Sequence, residues 1–292
     1  MSNMKRFYLL AICLVFIFMA TAQAARLSSV PQWGRWERSF QANPKTDPDP
    51  SIGLIVRLIA PSGKRHKVSA FWDGGKIWRV RFMPDEPGKW RYRTIAYPDY
   101  AGLNAQRGSF VCRKINESNK FVLHGAVGLT KDGTNLEHAD GTNFLIDEGT
   151  EYIQFITSKQ FFSSTISEKE PAFTGEKKIQ INPAFFRLLD DRINTINSRG
   201  RLAVLDLFGD SEQGKNSTWN LPEAQIILLE KYLVARFGAH HVAWLPAGTD
   251  EDKTVEAEKW HRIFRAVFGD KHNQQIVLFP YQNWRLKLNL HK

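Results

Sequence analysis

Between Trp33 and Arg113 the apolar and polar positions alternate in short runs. Trp36, Arg38 and Phe40 open the pattern, and runs 54–59, 68–72, 77–82, 90–94 and 109–113 continue it. A period of two puts successive side chains on opposite faces of an extended chain, so each run predicts a half-buried strand. Pro61-Ser62-Gly63, Asp73-Gly74-Gly75 and the stretches 84–88 and 98–102 supply turn residues between them at nearly regular intervals. The pattern predicts an all-β sandwich of immunoglobulin type. Its clearest hairpin is at Asp73-Gly74-Gly75, between a run ending in Trp72 and one resuming at Ile77. Tryptophans 33, 36, 72, 78 and 90 follow the strand period and read as core and edge packing before they read as a platform for sugar rings.

After residues 114–123, polar and rich in asparagine, the period changes to that of helices. Asn182-Pro183 is a cap followed by proline at the first helical position, and Phe185, Leu189, Ile193 and Ile196 then recur on one face until Gly200. An apolar strand is expected over 202–208, a helix from Pro222 to Gly238 with Ile226, Leu229, Leu233 and Phe237 inward, and a strand from Val242 to Gly248. A helix over 254–268 and a strand over 275–280 follow. Strands alternating with helices predict a parallel sheet with right-handed crossovers. With 152–157 and 143–147 as earlier strands there are about five, fewer than the eight of a closed barrel. The expected fold is therefore multidomain, an N-terminal all-β immunoglobulin-like sandwich followed by an incomplete (β/α)8 TIM-barrel-like α/β domain. Its divisions are 1–24, 25–113, a linker at 114–123, and 124–292.

Composition adds compartment and partner. Basic residues 1–6, an apolar run at 7–19 and Ala22-Gln23-Ala24 have the form of a secretory signal cleaved after residue 24, and the run is short of the roughly 20 residues a membrane span needs. The mature protein is thus expected to be secreted or periplasmic, with no membrane partner after cleavage. The signal takes Cys13 with it, leaving Cys112 alone and no intramolecular disulfide, thiolate metal site or redox pair. Of the net charge of +10, removal of Lys5 and Arg6 leaves 38 basic residues against 30 acidic ones, or +8. That surplus favours anionic partners, more plausibly acidic polysaccharides or an envelope surface than nucleic acid, unless spread-out charge serves solubility alone. No phosphate-cradling glycine motif, nucleophile elbow or nucleic-acid module occurs. His240 and His241, adjacent on an extended chain, point to opposite sides and predict no metal, and no cofactor is implied.

Several motifs resemble one family. His124-Gly125, His138-Ala139-Asp140-Gly141-Thr142-Asn143-Phe144, Phe173-Thr174-Gly175-Glu176, Ile181-Asn182-Pro183-Ala184-Phe185-Phe186, the stretch 232–240 and Trp244 to Gly248 are similar, in this order, to the apiosidase-like glycoside hydrolases. That family's barrel commonly follows an immunoglobulin-like domain, which Phe71-Trp72-Asp73-Gly74 and Arg81-Phe82 with Pro84 resemble. The resemblance implies a protein acting on oligo- or polysaccharides of plant cell-wall or pectic kind. Three departures accompany it. Residues 144–148 run almost directly into 152–155, too few for a parallel crossover of about a dozen residues. Thr249 stands where the family keeps an aspartate. The chain ends at Lys292, before the strand that the resemblance assigns to the glutamate nucleophile.

Glycoside hydrolysis by the usual route needs two carboxyl groups across the scissile bond. The resemblance places the acid/base at the end of the fourth barrel strand, where Asp250 is the nearest carboxylate, either the acid or a solvated loop residue. Asp206 is a charge within an apolar strand, a site residue or a paired structural acid, and burial would raise its pKa. Gln154, Trp244 and Trp284 are the substrate-contact candidates, with packing or capping as the alternative. One carboxylate cannot run a two-carboxylate mechanism, so the expectation is a weak or inactive hydrolase. The alternatives are a non-catalytic glycan-binding or envelope protein, or a degraded gene product. No oligomeric state follows from the sequence.

Overall fold

The computed structural model describes residues 27–43, 51–116, 118–132, 134–146, 150–154, 171–175, 177–206, 221–245, 255–269 and 277–278. The expected signal, 1–24, lies outside them.

The first part is β structure in two sheets. Strands β1 (Ser29–Pro31), β3 (Gly53–Ile59), β4 (Arg65–Ser69), β7 (Gly88–Tyr97) and β8 (Arg107–Arg113) form one sheet in the order β1-β8-β7-β3-β4. Strands β2 (Trp36–Gln41), β5 (Phe71–Trp72) and β6 (Ile77–Phe82) form the other, in the order β2-β6-β5. Alternation decides what lies between them. Leu54, Val56 and Leu58 of β3, Trp90 and Tyr92 of β7 and Phe110 of β8 share one core with Trp36, Phe40, Trp78, Val80 and Phe82 of the second sheet. Trp36 stacks on Phe110 across that core, ring centroids 4.4 Å apart. Trp36, Trp78 and Trp90 are thereby core residues, as their spacing predicts. The β5–β6 hairpin forms as expected: Trp72 pairs with Trp78, and Gly74 and Gly75 take positive φ, 100° and 52°, which glycine adopts without strain. Strand β1 was not foreseen; it is three residues long and exists through parallel pairing with β8.

Residues 114–123 are less of a linker than their polarity suggests. Asn119 caps helix α1 (Lys120–His124) by accepting from the Phe121 amide, and its own amide donates to the Asn197 carbonyl at 2.9 Å. Strands β9 (Val127–Leu129), β10 (Leu136–His138) and β11 (Asn143–Phe144) then make a small antiparallel sheet in the order β11-β10-β9. This corrects the expectation that 143–147 is the first parallel strand. Phe144 pairs with Leu136 in antiparallel register, so the short connection to residue 150 has no parallel crossover to supply.

The parallel sheet has strands β12 (Thr150–Gln154), β15 (Leu202–Asp206), β16 (Val242–Leu245) and β17 (Val277–Leu278), in that spatial order. A two-stranded ribbon, β13 (Phe173–Thr174) with β14 (Gln180–Ile181), precedes helix α2 (Pro183–Ser198). Helices α3 (Glu223–Phe237) and α4 (Val255–Phe268) link the later strands. Among the described residues this sheet has four strands and does not close into a barrel. Asn182 caps α2 by accepting from the Ala184 amide, with Pro183 at the first turn. The two faces of the sheet differ. Ala203, Leu205, Val242 and Trp244 are buried with Leu189 of α2, Leu229 and Leu233 of α3, and Trp260 and Ile263 of α4. Leu202, Val204 and Ala243 are buried with Phe121, Val127, Leu136 and Phe144. The antiparallel sheet and α1 therefore cover the face that the helices leave open. No helix among the described residues is long and apolar enough to cross a membrane.

Candidate functional site

The parallel strands run in level register. Gln154 of β12 is the Cα partner of Asp206 of β15, and Asp206 is in turn the partner of Leu245 of β16, these being the last described positions of the three strands. Neighbouring strands lie about 4.8 Å apart, and residues in register occupy the same face. The alternation of β15 puts position 206 on the face of Leu202 and Val204, away from the helices. Toward their carboxyl ends the described strands thus carry a level row of positions, 154, 206 and 245, on the side where open α/β sheets place their ligands.

The sequence candidates fall out unevenly. Gln154 and Asp206, 52 positions apart in the chain, become neighbours in this row. Trp244 does not join them. Its side chain is fully buried in the helix-facing core, with the Phe268 ring 6.3 Å away, and its indole N–H makes no hydrogen bond among the described residues. The one-residue offset from Leu245 puts it on the opposite face, so the structure makes Trp244 a core residue in place of a substrate contact. Asp250 and Trp284 lie outside the described residues. No group of three or more histidine, cysteine, aspartate or glutamate side chains suited to a metal occurs among the described residues.

A second constellation, unread in the sequence, fixes the helices against the β part. Arg81 of β6 grips Asp190 of α2 with two hydrogen bonds, 2.6 and 2.9 Å, and its Nε donates to Glu37 at 2.7 Å. Arg236 of α3 donates to the same Asp190 at 2.6 Å and to Asp73 at 2.9 Å. Arg79 joins Asp73 at 2.6 Å and Glu37 at 2.7 Å. The Phe71 ring lies 5.0 Å from the Arg81 guanidinium and 4.8 Å from that of Arg236, so one aromatic ring packs against both cations. Burial works to raise the Asp190 carboxyl, but the Arg81 and Arg236 guanidiniums outweigh it and hold the group below the ordinary carboxylate range. At Glu37 burial is likewise outweighed, by Arg81 and Arg79. The available signal was a charge within each apolar helical stripe: Asp190 beside Leu189 and Ile193, and Arg236 one turn after Tyr232.

Nearby, His240 hydrogen-bonds Arg35, and burial, aided by that cation, pushes its pKa well down. His241 stacks on Phe121 at 4.0 Å and is pushed down to about 3, chiefly by burial. Both rings are neutral packing elements at neutral pH. On α3, burial raises Glu230 to about 8.

A two-sheet β region followed by an α/β region with a parallel sheet and a level carboxyl-end row defines the architectural class. Residues 146–289 match the family model described as apiosidase-like, catalytic domain, and residues 29–97 match a domain of unknown function, DUF5060. The α/β part of the chain is thus similar to apiosidase-like catalytic domains, as the motifs indicate. Among solved structures, a candidate glycoside hydrolase from Bacteroides vulgatus is similar at 24% identity and a TM-score of 0.67, over 86% of this chain and 55% of that one. The chain therefore spans about half the length of that structure, and the likeness is one of fold. A glycoside hydrolase family 5 structure from the same organism aligns at 14% identity and a TM-score of 0.36, over 53% of this chain and 39% of that one. No curated protein matches the chain.

Proposed function

We propose that the chain is an exported carbohydrate-active protein of glycoside hydrolase ancestry, built as an immunoglobulin-like sandwich and an incomplete TIM-type barrel, secreted or periplasmic, with plant cell-wall or pectic glycans as ligands. The observation that carries this reading is the register of Gln154, Asp206 and Leu245 at the carboxyl ends of parallel strands within a region that matches an apiosidase-like catalytic domain. Gln154 supplies a neutral amide for sugar hydroxyls, and Asp206 supplies a carboxyl group for proton transfer to the glycosidic oxygen. Asp250, five positions beyond Leu245, is the second acid in this reading. The excess of basic residues favours an acidic chain such as a pectic one.

Hydrolysis is expected to be weak. The usual mechanism needs a pair of carboxyl groups held across the bond, and Asp250 stands one residue beyond the position, occupied by Thr249, where the resemblance places an aspartate, so the pair with Asp206 is off that spacing. That same observation favours a second reading, a glycan-binding protein without turnover. The test is incubation of the purified protein with pectic oligosaccharides, following released sugar, beside Asp206→Asn and Asp250→Asn variants. Slow release that falls at least about a hundredfold in either variant supports that residue's proton-transfer role. Release unchanged by Asp206→Asn removes Asp206 from the chemistry. Binding without release by the wild type selects the second reading.

A further inference from the structure

We propose that a cleft between the Trp33 turn of the β region and the α1–β10 segment is a second, separate saccharide-binding site. The cleft encloses about 450 Å³, within the range of small-molecule sites. Its apolar side is formed by Trp33 and by Leu123, a leucine left half exposed at 50%. The indole is held in place: the Trp33 amide donates to the Pro84 carbonyl at 2.9 Å, and the indole packs so closely on Gly125 that a Cβ there would lie 3.0 Å from Trp33 Cε2 and Nε1. Its Nε1–H makes no hydrogen bond among the described residues.

The polar side is fixed as well. His124 Nδ1 is engaged by Asp140 Oδ2 at 2.8 Å and by Thr142 Oγ1 at 3.2 Å, while Asp140 Oδ1 accepts from the Thr142 amide at 2.9 Å. The imidazole is thus oriented through Nδ1, and Nε2 has no partner among the described residues. Gln32 donates its Nε2 to the Asp85 carbonyl at 2.7 Å, which fixes its Oε1 as an acceptor. Lys114 adds a cationic donor to the same wall. A fixed aromatic surface beside oriented planar donors and acceptors suits a ring with an apolar C–H face and a rim of hydroxyls. A simple anion fits less well, because the Asp140 carboxylate shares the wall with Lys114. Nor is the His124–Asp140 pair set up for nucleophilic catalysis, since Thr142 sits on the Nδ1 side and no hydroxyl among the described residues meets Nε2.

The cleft lies at the amino-terminal side of the parallel sheet. Phe121, next to cleft residue Val122, stacks on His241 immediately before β16, level with the start of β15, which runs from Leu202 to Asp206. Five residues of strand separate the two positions by roughly 13 Å, so the cleft would hold a part of a glycan that does not reach the strand-end row. The choice of a sugar as ligand rests on the carbohydrate-active reading, while the site itself is independent of Asp206.

The test is titration of the full chain with digalacturonate and with cellobiose at millimolar concentrations, following the His124 imidazole resonances, assigned with a His124→Gln variant. At least one of the two is expected to shift those resonances, digalacturonate alone if Lys114 selects a uronic acid. Trp33→Ala and Leu123→Asp should each weaken binding by about tenfold or more, and Asp206→Asn should leave it unchanged. Leu123 is exposed, so its variant decides the matter if Trp33→Ala fails to fold. Resonances unmoved by both sugars would overturn the proposal. Binding lost in Asp206→Asn but kept in Leu123→Asp would also overturn it, and would support the strand-end site alone.

Discussion

Arg81 and Asp190, 109 positions apart in the chain, meet through two hydrogen bonds of 2.6 and 2.9 Å in an interior where Arg81 is 4% and Asp190 7% exposed. A bidentate pair of this kind is planar and directional, so it sets the orientation of α2 on the β6 strand as well as its distance. Removing one partner leaves the other charge buried. Asp190→Ala is expected to destabilise the fold by about 3–5 kcal/mol, read from chemical denaturation, because Arg81 and Arg236 lose their shared carboxylate together. The carboxyl is held below its ordinary range, so its contribution is present above the unfolded-state pKa of about 4 and is lost as pH falls further. A steep fall in wild-type stability below pH 4, flattened in Asp190→Ala, is the companion result.

Little of that network could be read from the chain, although most of the elements it joins could. Strand and helix periods located β3, β6, β15, α2, α3 and α4, because those patterns depend on residues within a turn or two of each other. Asp73 also read correctly as a hairpin residue. Its second role depends on Arg236, 163 positions away, and no local pattern encodes such a distance. β11 was misread for a related reason: two residues of strand carry no mark of whether their partner runs parallel or antiparallel. At the candidate site, Gln154 and Asp206 were each singled out on their own, and only the register makes them neighbours.

Glu230 provides a test of burial. Its folded-state pKa, raised to about 8 by desolvation, exceeds the ordinary 4.5, so folding favours the protonated form. That stability is full below pH 4.5 and is lost as pH rises through 8. Buried His240 and His241 act in the opposite sense, but above about pH 7 they are neutral in both states. Between pH 7 and 8 the wild type should therefore lose up to about 1.4 kcal/mol of stability. Glu230→Gln should not, and parallel pH profiles for the two proteins would refute the assignment.

Trp244 separates core from site. With its side chain fully buried between the sheet and α4, Trp244→Ala should cost about 3–5 kcal/mol of stability through the cavity it leaves. Glycan affinity, measured well below the variant's melting temperature, should change little. A selective loss of affinity with stability intact would return Trp244 to the ligand-contact list.

Gly125 tests the fit between the β region and the α1–β9 connection. Its φ of 93° disfavours a side chain, and a Cβ would stand 2.7 Å from that of Ala139. Gly125→Ala is expected to cost about 1–3 kcal/mol and to shift the Trp33 indole resonance, since the indole lies on the other side of the same contact. An unshifted indole signal would show that the neighbouring segment gives way on the Ala139 side alone.

The Asp73 turn bears on how such a chain can be rearranged. Hairpin turns are ordinarily where insertions and domain grafts are tolerated, but this one begins with a carboxylate that accepts from Arg79 on its own sheet and from Arg236 on a helix of the other region. A graft of the β region onto a different α/β partner would have to bring a carboxylate to α2 for Arg81 and an arginine to α3 for Asp73, or leave Arg81 without Asp190 and Asp73 without Arg236. The two regions are therefore exchangeable only as a matched set, which makes their juncture a more restrictive feature of the sequence than either core alone.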